Sequence, residues 1–178
     1  MKETSNDDRY LPDYRCERPT DISPEFFHKL GIKLILCDLD NTLAKSQSRV
    51  PPCYVKEWVR NLENEGLKLA VVSNAMVGRV KEFSHDLNVS YLGWAMKPYS
   101  HKINRFVKKL KYKPEEVLFI GDQLYTDMKA AKKAGFKAML CEIISEKESV
   151  WTTANRKKDN KARTLPELQS IPDWKEVL

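Results

Sequence analysis

The sequence predicts an α/β fold, a three-layer, doubly wound domain on a parallel β-sheet. Strand-like and helix-like patterns alternate from Lys33 to about Glu142, the signature of βαβ units. A chain of 178 residues with 42% hydrophobic content is long enough for one well-buried domain and short for two. Polar residues follow the apolar strand runs, and in open α/β sheets ligands bind at that carboxyl edge.

The first strand is read at Lys33–Cys37, where an apolar run leads into "DLDNTLAKS". Pro51 and Pro52 suit the first turn of a helix, and Val55, Trp58, Val59 and Leu62 then recur at helical spacing until Gly66. Leu67–Val72 reads as the second strand. Val77, Val80, Phe83 and Leu87 repeat the helical period, a short strand is expected at Ser90–Leu92, and Ile103, Phe106, Val107 and Leu110 mark the next helix. Val117–Ile120 is the fourth strand. A helix from about Thr126 to Ala134 stops at Gly135, a good C-terminal cap, and Lys137–Cys141 closes the sheet. The expected unit is a single Rossmann-like domain over residues 1–178, its core at about 31–144. Residues 1–30 and 145–178 are less periodic and are expected to drape over that core or fray.

The opening residues are polar and acidic, and no apolar run approaches the roughly 18 residues of a membrane span. A soluble, unexported, cytoplasmic protein is expected. The four cysteines show no CxxC spacing, which favours reduced thiols over zinc or disulfides. The net charge of +6 is uneven, with 19 basic against 12 acidic residues in 31–144, so the excess lies on the central body. Such a field attracts phosphates, anionic headgroups or nucleic acid alike and sets only the partner's sign.

Asp38, Asp40 and Thr42 follow the first strand, Ser73 and Asn74 the second, Lys97 the short strand, and Gly121, Asp122 and Asp127 the fourth. Four carboxylates at one edge suggest a hard divalent cation, Mg²⁺, and a serine with a lysine suggests an anionic substrate such as phosphate. An EF-hand reading of the DxD stretch fails, because its sixth and twelfth positions, Leu43 and Arg49, should be Gly and Glu. Cys37 reads as a small buried hydrophobe, and His28, His85 and His101 fall outside every motif.

The ordered set "DLDNT", "VVSNA", "MKP" and "GDQLYTD" resembles the haloacid dehalogenase superfamily of phosphohydrolases, over about Lys33 to Cys141. More narrowly, "DLDNTL", "GDQLYTD" and a downstream Asn155-Arg156 pair resemble the YqeG-type branch, related to phosphatidylglycerophosphate phosphatases. The resemblance implies Asp38 as nucleophile, forming an aspartyl-phosphate, and Asp40 as general acid and base. It also implies Mg²⁺ on Asp38, Asp122 and the backbone carbonyl of Asp40, with Asp127 as a further ligand or an orienter of metal-bound water. Ser73 and Lys97 would hold the phosphoryl oxygens, with Thr42 and Asn74 positioning that site.

Thirty residues separate Thr42 from Ser73 and 23 separate Ser73 from Lys97, which leaves no room for a cap domain. A capless site admits a bulky substrate, and together with this the branch resemblance implies phosphatidylglycerophosphate. Trp94 and Met96 then either meet an anionic membrane or belong to the core. The rival readings are a phosphatase of a soluble metabolite or protein, and a binding module that keeps the phosphate site and docks RNA or a ribosomal partner through its basic body.

Overall fold

The computed structural model describes residues 10–144 and 150–178. Six parallel strands form one sheet: β1 (Tyr14–Cys16), β2 (Leu34–Cys37), β3 (Lys68–Val72), β4 (Ser90–Leu92), β5 (Val117–Gly121) and β6 (Lys137–Cys141), in the order β1-β6-β5-β2-β3-β4. The inner strands β2, β3, β5 and β6 are short and largely apolar because they are covered on both faces. Alternate β2 residues divide between two cores: Ile35 and Cys37 point to one and Leu34 and Leu36 to the other.

On the first face lie α1 (Pro24–Lys29), α2 (Cys53–Asn64) and α3 (Val77–Leu87), which contribute Phe26 and Phe27, Trp58 and Leu62, and Val80 and Phe83. On the second lie α4 (His101–Lys109), α5 (Lys129–Ala134), α6 (Val150–Arg163) and α7 (Pro166–Gln169), with Ile103 and Val107, Ala131, Ala162 and Leu168 among the buried residues. This is the doubly wound, three-layer arrangement. The lysine-rich α4 keeps Lys108 and Lys109 exposed while Ile103 and Val107 are buried, as its apolar spacing requires.

A proline and a glycine mark two helix ends. Pro52 caps α2 with an extended backbone, so the helix starts at Cys53 rather than at Pro51. Gly135 ends α5 in the left-handed conformation, at φ 79°.

The terminal segments do more than cover the core. Tyr14–Cys16 adds an edge strand against β6, and Asp13 anchors it: its backbone N–H donates to the Ala138 carbonyl (2.8 Å) while its carboxylate accepts from the Ala138 N–H (2.8 Å) and from Lys132 (2.6 Å). Pro172 then accepts from the Arg15 N–H, beside the Arg15–Asp173 bridge. A three-residue strand carries too little alternation to be read from sequence. Residues 1–9 and 145–149 lie outside the described residues.

Gly93 joins β4 to the site loops. A Cβ there would stand 2.7 Å from the Val77 Cα, at the start of α3, and backbone cannot move aside as a side-chain tip does. Gly93→Ala is expected to destabilise the protein by about 1–3 kcal/mol, seen as a lower midpoint in urea.

Candidate active site

The sheet register brings the polar strand ends together. Cys37 of β2 lies opposite Val71 of β3 on one side and Ile120 of β5 on the other, so the chain leaves all three strands at one level. Asp38 follows there, its N–H donating to the Ile120 carbonyl (3.0 Å), with Ser73 and Asp122 on the flanking strand ends. Asp127 enters from a single π-helical turn, Leu124–Met128, a geometry frequent at functional sites.

Asp38, Asp122 and Asp127 are all buried, and a carboxylate oxygen of each lies within 4.8 Å of the others. Lys97 reaches into this cluster. Its ammonium donates to Asp38 Oδ1 (2.6 Å), Asp127 Oδ1 (2.7 Å) and the Val72 carbonyl (3.1 Å), so all three protons are placed. Burial acts to strip that proton, but Asp127 and Asp38 outweigh it and hold the amine charged, above its ordinary pKa.

The carboxylates remain short of positive charge. Burial pushes the Asp38 carboxyl well above its usual range against the pull of Lys97. Burial and then Asp127 push Asp122 up to about 6, although Arg156 opposes them. Three buried oxygen donors, close enough to share one small cation, fit a hard divalent ion such as Mg²⁺.

The remaining predicted residues divide. Ser73 is buried beside the cluster, its Oγ accepting from the Ala75 N–H (3.1 Å). Asn74 spends its amide on the Lys97 backbone, accepting from its N–H (2.7 Å) and donating to its carbonyl (3.0 Å). Thr42 Oγ1 donates to Asp122 Oδ1 (3.3 Å). Asn74 and Thr42, expected to position the phosphate site, bond to Lys97 and Asp122. Asp40 stands apart from the carboxylate cluster: both its oxygens accept from Arg79 of α3, and Oδ1 also accepts from the Gln47 N–H (2.9 Å).

Arg79 and Asp159 carry no sequence signal strong enough to single them out. Arg79 is one basic residue among many in a helix. Arg156 places Nη2 2.5 Å from Asp122 Oδ2, and Asp159 accepts from the N–H groups of Leu124 (3.0 Å) and Tyr125 (3.3 Å). The Asn155-Arg156 pair stands out in sequence without a role attached, and the Asn155 side chain lies outside the described residues. Trp94 and Met96 are 57% and 41% exposed, which removes the core reading for both. Their φ angles of 48° and 61° flank the fully buried Ala95, turning both side chains outward from a conformation that bulky residues rarely adopt.

Gly121 lets Asp127 approach. A Cβ at position 121 would fall 2.5 Å from the Cβ, Cγ and Oδ2 of Asp127, so Gly121→Ala must displace that carboxylate. The variant is expected to fold and to lose about 10- to 100-fold in Mg²⁺ affinity, the scale seen when a metal site's supporting geometry is disturbed, as measured by Mg²⁺-dependent thermal stabilisation.

Comparison with known proteins places these features in a family. The chain is 29% identical over 167 residues to the "Probable phosphatase YqeG" of Bacillus subtilis (strain 168), covering 94% of this chain and 97% of that one. Among solved structures, a 3-deoxy-D-manno-octulosonate 8-phosphate phosphatase from Moraxella catarrhalis, in complex with magnesium, phosphate and KDO, superposes with a TM-score of 0.52 at 23% identity. That match covers 65% of this chain and 71% of the other. A cobalt-bound deoxy-D-mannose-octulosonate 8-phosphate phosphatase from Haemophilus influenzae superposes at 0.51 and 12% identity, over 80% and 93%. Both show a shared fold. Residues 48–141, a span that begins after Asp38, Asp40 and Thr42, match the haloacid dehalogenase-like hydrolases. That span exceeds half of the chain, and the chain belongs to the haloacid dehalogenase-like hydrolase family.

Proposed function

We propose that the chain is a Mg²⁺-dependent phosphomonoester hydrolase working through an aspartyl-phosphate on Asp38, with phosphatidylglycerophosphate as substrate. The observation that carries the reaction is the buried Asp38 carboxylate held 2.6 Å from Lys97 beside Asp122 and Asp127. In the first step an Asp38 oxygen attacks phosphorus in line, forming an O–P bond as the ester O–P bond breaks, and Asp40 protonates the leaving oxygen. In the second step water attacks the phosphorus, Asp40 takes its proton, and Asp38 is released with inorganic phosphate.

Lys97 and Ser73 hold the non-bridging oxygens, and Asn74 fixes Lys97 by its two backbone bonds. Arg79 donates to both oxygens of Asp40, so one of those contacts must be released when Asp40 carries the proton it gives to the leaving oxygen. Asp38, the Asp40 carbonyl, Asp122 and Asp127 would hold Mg²⁺, which supplies the positive charge that lets a phosphoryl dianion meet a carboxylate nucleophile.

The lipid assignment draws on the mouth of the site. Val50, Met76, Val77, Trp94, Met96 and Tyr99 are all exposed in or beside the loops that follow the strands, with Met76 at 72%. Exposed apolar and aromatic side chains gathered at one edge of a basic body suit an anionic interface, with apolar tips among the headgroups and lysines on the phosphates. No helix among the described residues is long and apolar enough to cross a membrane, so the contact proposed is peripheral, at the cytoplasmic face.

Asp38→Asn is expected to keep the fold and lower turnover of an aryl phosphate to below a few per cent, because an amide is a poor nucleophile. Chelation of Mg²⁺ should stop the wild-type enzyme reversibly. An Asp38→Asn protein that retains substantial turnover would overturn the nucleophile assignment. For the substrate, phosphate release from phosphatidylglycerophosphate in mixed micelles should exceed that from sugar phosphates or nucleotides in kcat/KM. Trp94→Ala with Met96→Ala should slow the micellar reaction and spare the soluble one. Higher efficiency on soluble substrates would remove the lipid assignment and leave the aspartyl-phosphate chemistry in place.

A further inference from the structure

Helix α6 places three charged residues on the acidic loop. Arg156, Asp159 and Arg163 stand at spacings of three and four, so they share one helical face. Arg156 is 8% exposed and Asp159 is fully buried, and a buried charge is costly unless each is paired. A helix that served only to cover the sheet would present apolar residues there, as Ala162 does.

Each of the three is paired with the same short stretch of chain. Arg156 Nη2 donates to Asp122 Oδ2 (2.5 Å) and Nη1 to the Asp122 carbonyl (3.3 Å). Arg163 Nη2 donates to that carbonyl as well (2.7 Å) and to the carbonyl of Cys141 at the end of β6 (3.0 Å). Asp159 accepts from the N–H groups of Leu124 and Tyr125, the first of the π-helical turn, which have no partner within it. That turn carries Asp127, whose Oδ2 accepts from the Gln123 N–H (3.0 Å) and whose Oδ1 accepts from Lys97. One helical face therefore holds Asp122 by its side chain and backbone, and Asp127 by the amides that begin its turn.

We propose that α6 sets the geometry of the acidic loop, with Arg156 and Asp159 as positioning residues for Asp122 and Asp127. The inference rests on the reading of those two aspartates as Mg²⁺ ligands. Thr42 completes the arrangement from the opposite side, on Asp122 Oδ1, so the two Asp122 oxygens are oriented by separate donors. A ligand carboxylate held in this way is presented in one orientation, which raises affinity without adding a ligand.

The test uses the full chain with Arg156→Lys and Asp159→Asn, and Leu168→Ala as a packing control in α7. Arg156→Lys keeps the charge and loses the fork; Asp159→Asn keeps the shape and turns one acceptor into a donor facing a backbone N–H. Two quantities are read: the MgCl₂ concentration giving half of the Mg²⁺-induced rise in unfolding temperature, and kcat and KM on an aryl phosphate.

Both site variants should need about 10- to 100-fold more Mg²⁺ and lose kcat with little change in KM. Leu168→Ala should lower the unfolding temperature alone. The proposal is overturned if both variants keep wild-type Mg²⁺ dependence and kcat, or if neither folds. Should Arg156→Lys alone fail to fold, Asp159→Asn decides. A wild-type protein that shows no Mg²⁺-induced rise would remove the metal reading itself and this inference with it.

Discussion

Three carboxylates share a buried site at the end of a parallel sheet, and much of the structure answers the repulsion this creates. Asp38, Asp122 and Asp127 lie where solvent cannot screen them, so their charge must be met by protons, by cations or by oriented donors. The protein meets it on several sides. Lys97 enters from the loop after β4, Arg156 from α6 and Thr42 from the loop after β2. The raised proton affinities of Asp38 and Asp122 show that compensation is incomplete, which leaves a place for a divalent cation.

The same constraint explains how the surrounding loops are held. Lys97 can neutralise two aspartates only if its backbone is fixed, and Asn74 clasps it by both its N–H and its carbonyl. Asp127 can approach the cluster because β5 ends in Gly121, with no side chain at the point of contact. Exposed apolar side chains precede Lys97 in the loop after β4. Trp94 and Met96 face outward there, in a stretch whose middle residue, Ala95, is fully buried.

The terminal segments belong to this arrangement. The N-terminal segment extends the sheet beyond β6, and the C-terminal chain crosses back to the site through α6 before Pro172 and Asp173 meet Arg15 of β1. Asp159 and Arg163 are more than 30 residues from the loop they hold, so no local pattern could join them to it.

Periodicity and strand-end chemistry are local properties, which is why the sequence by itself determined the α/β class, five of the six strands and the convergence of Asp38, Ser73, Lys97, Asp122 and Asp127 on one edge. Apolar spacing records which face of a helix is buried, and a parallel sheet puts every strand's carboxyl end on the same side. The edge strand Tyr14–Cys16, the Arg79–Asp40 pair and the grip of α6 on Asp122 were decided by tertiary structure alone. Each is a contact between segments far apart in the chain. One arginine or aspartate among many bears no mark of its partner until the fold removes water from around both and makes pairing the condition of burial.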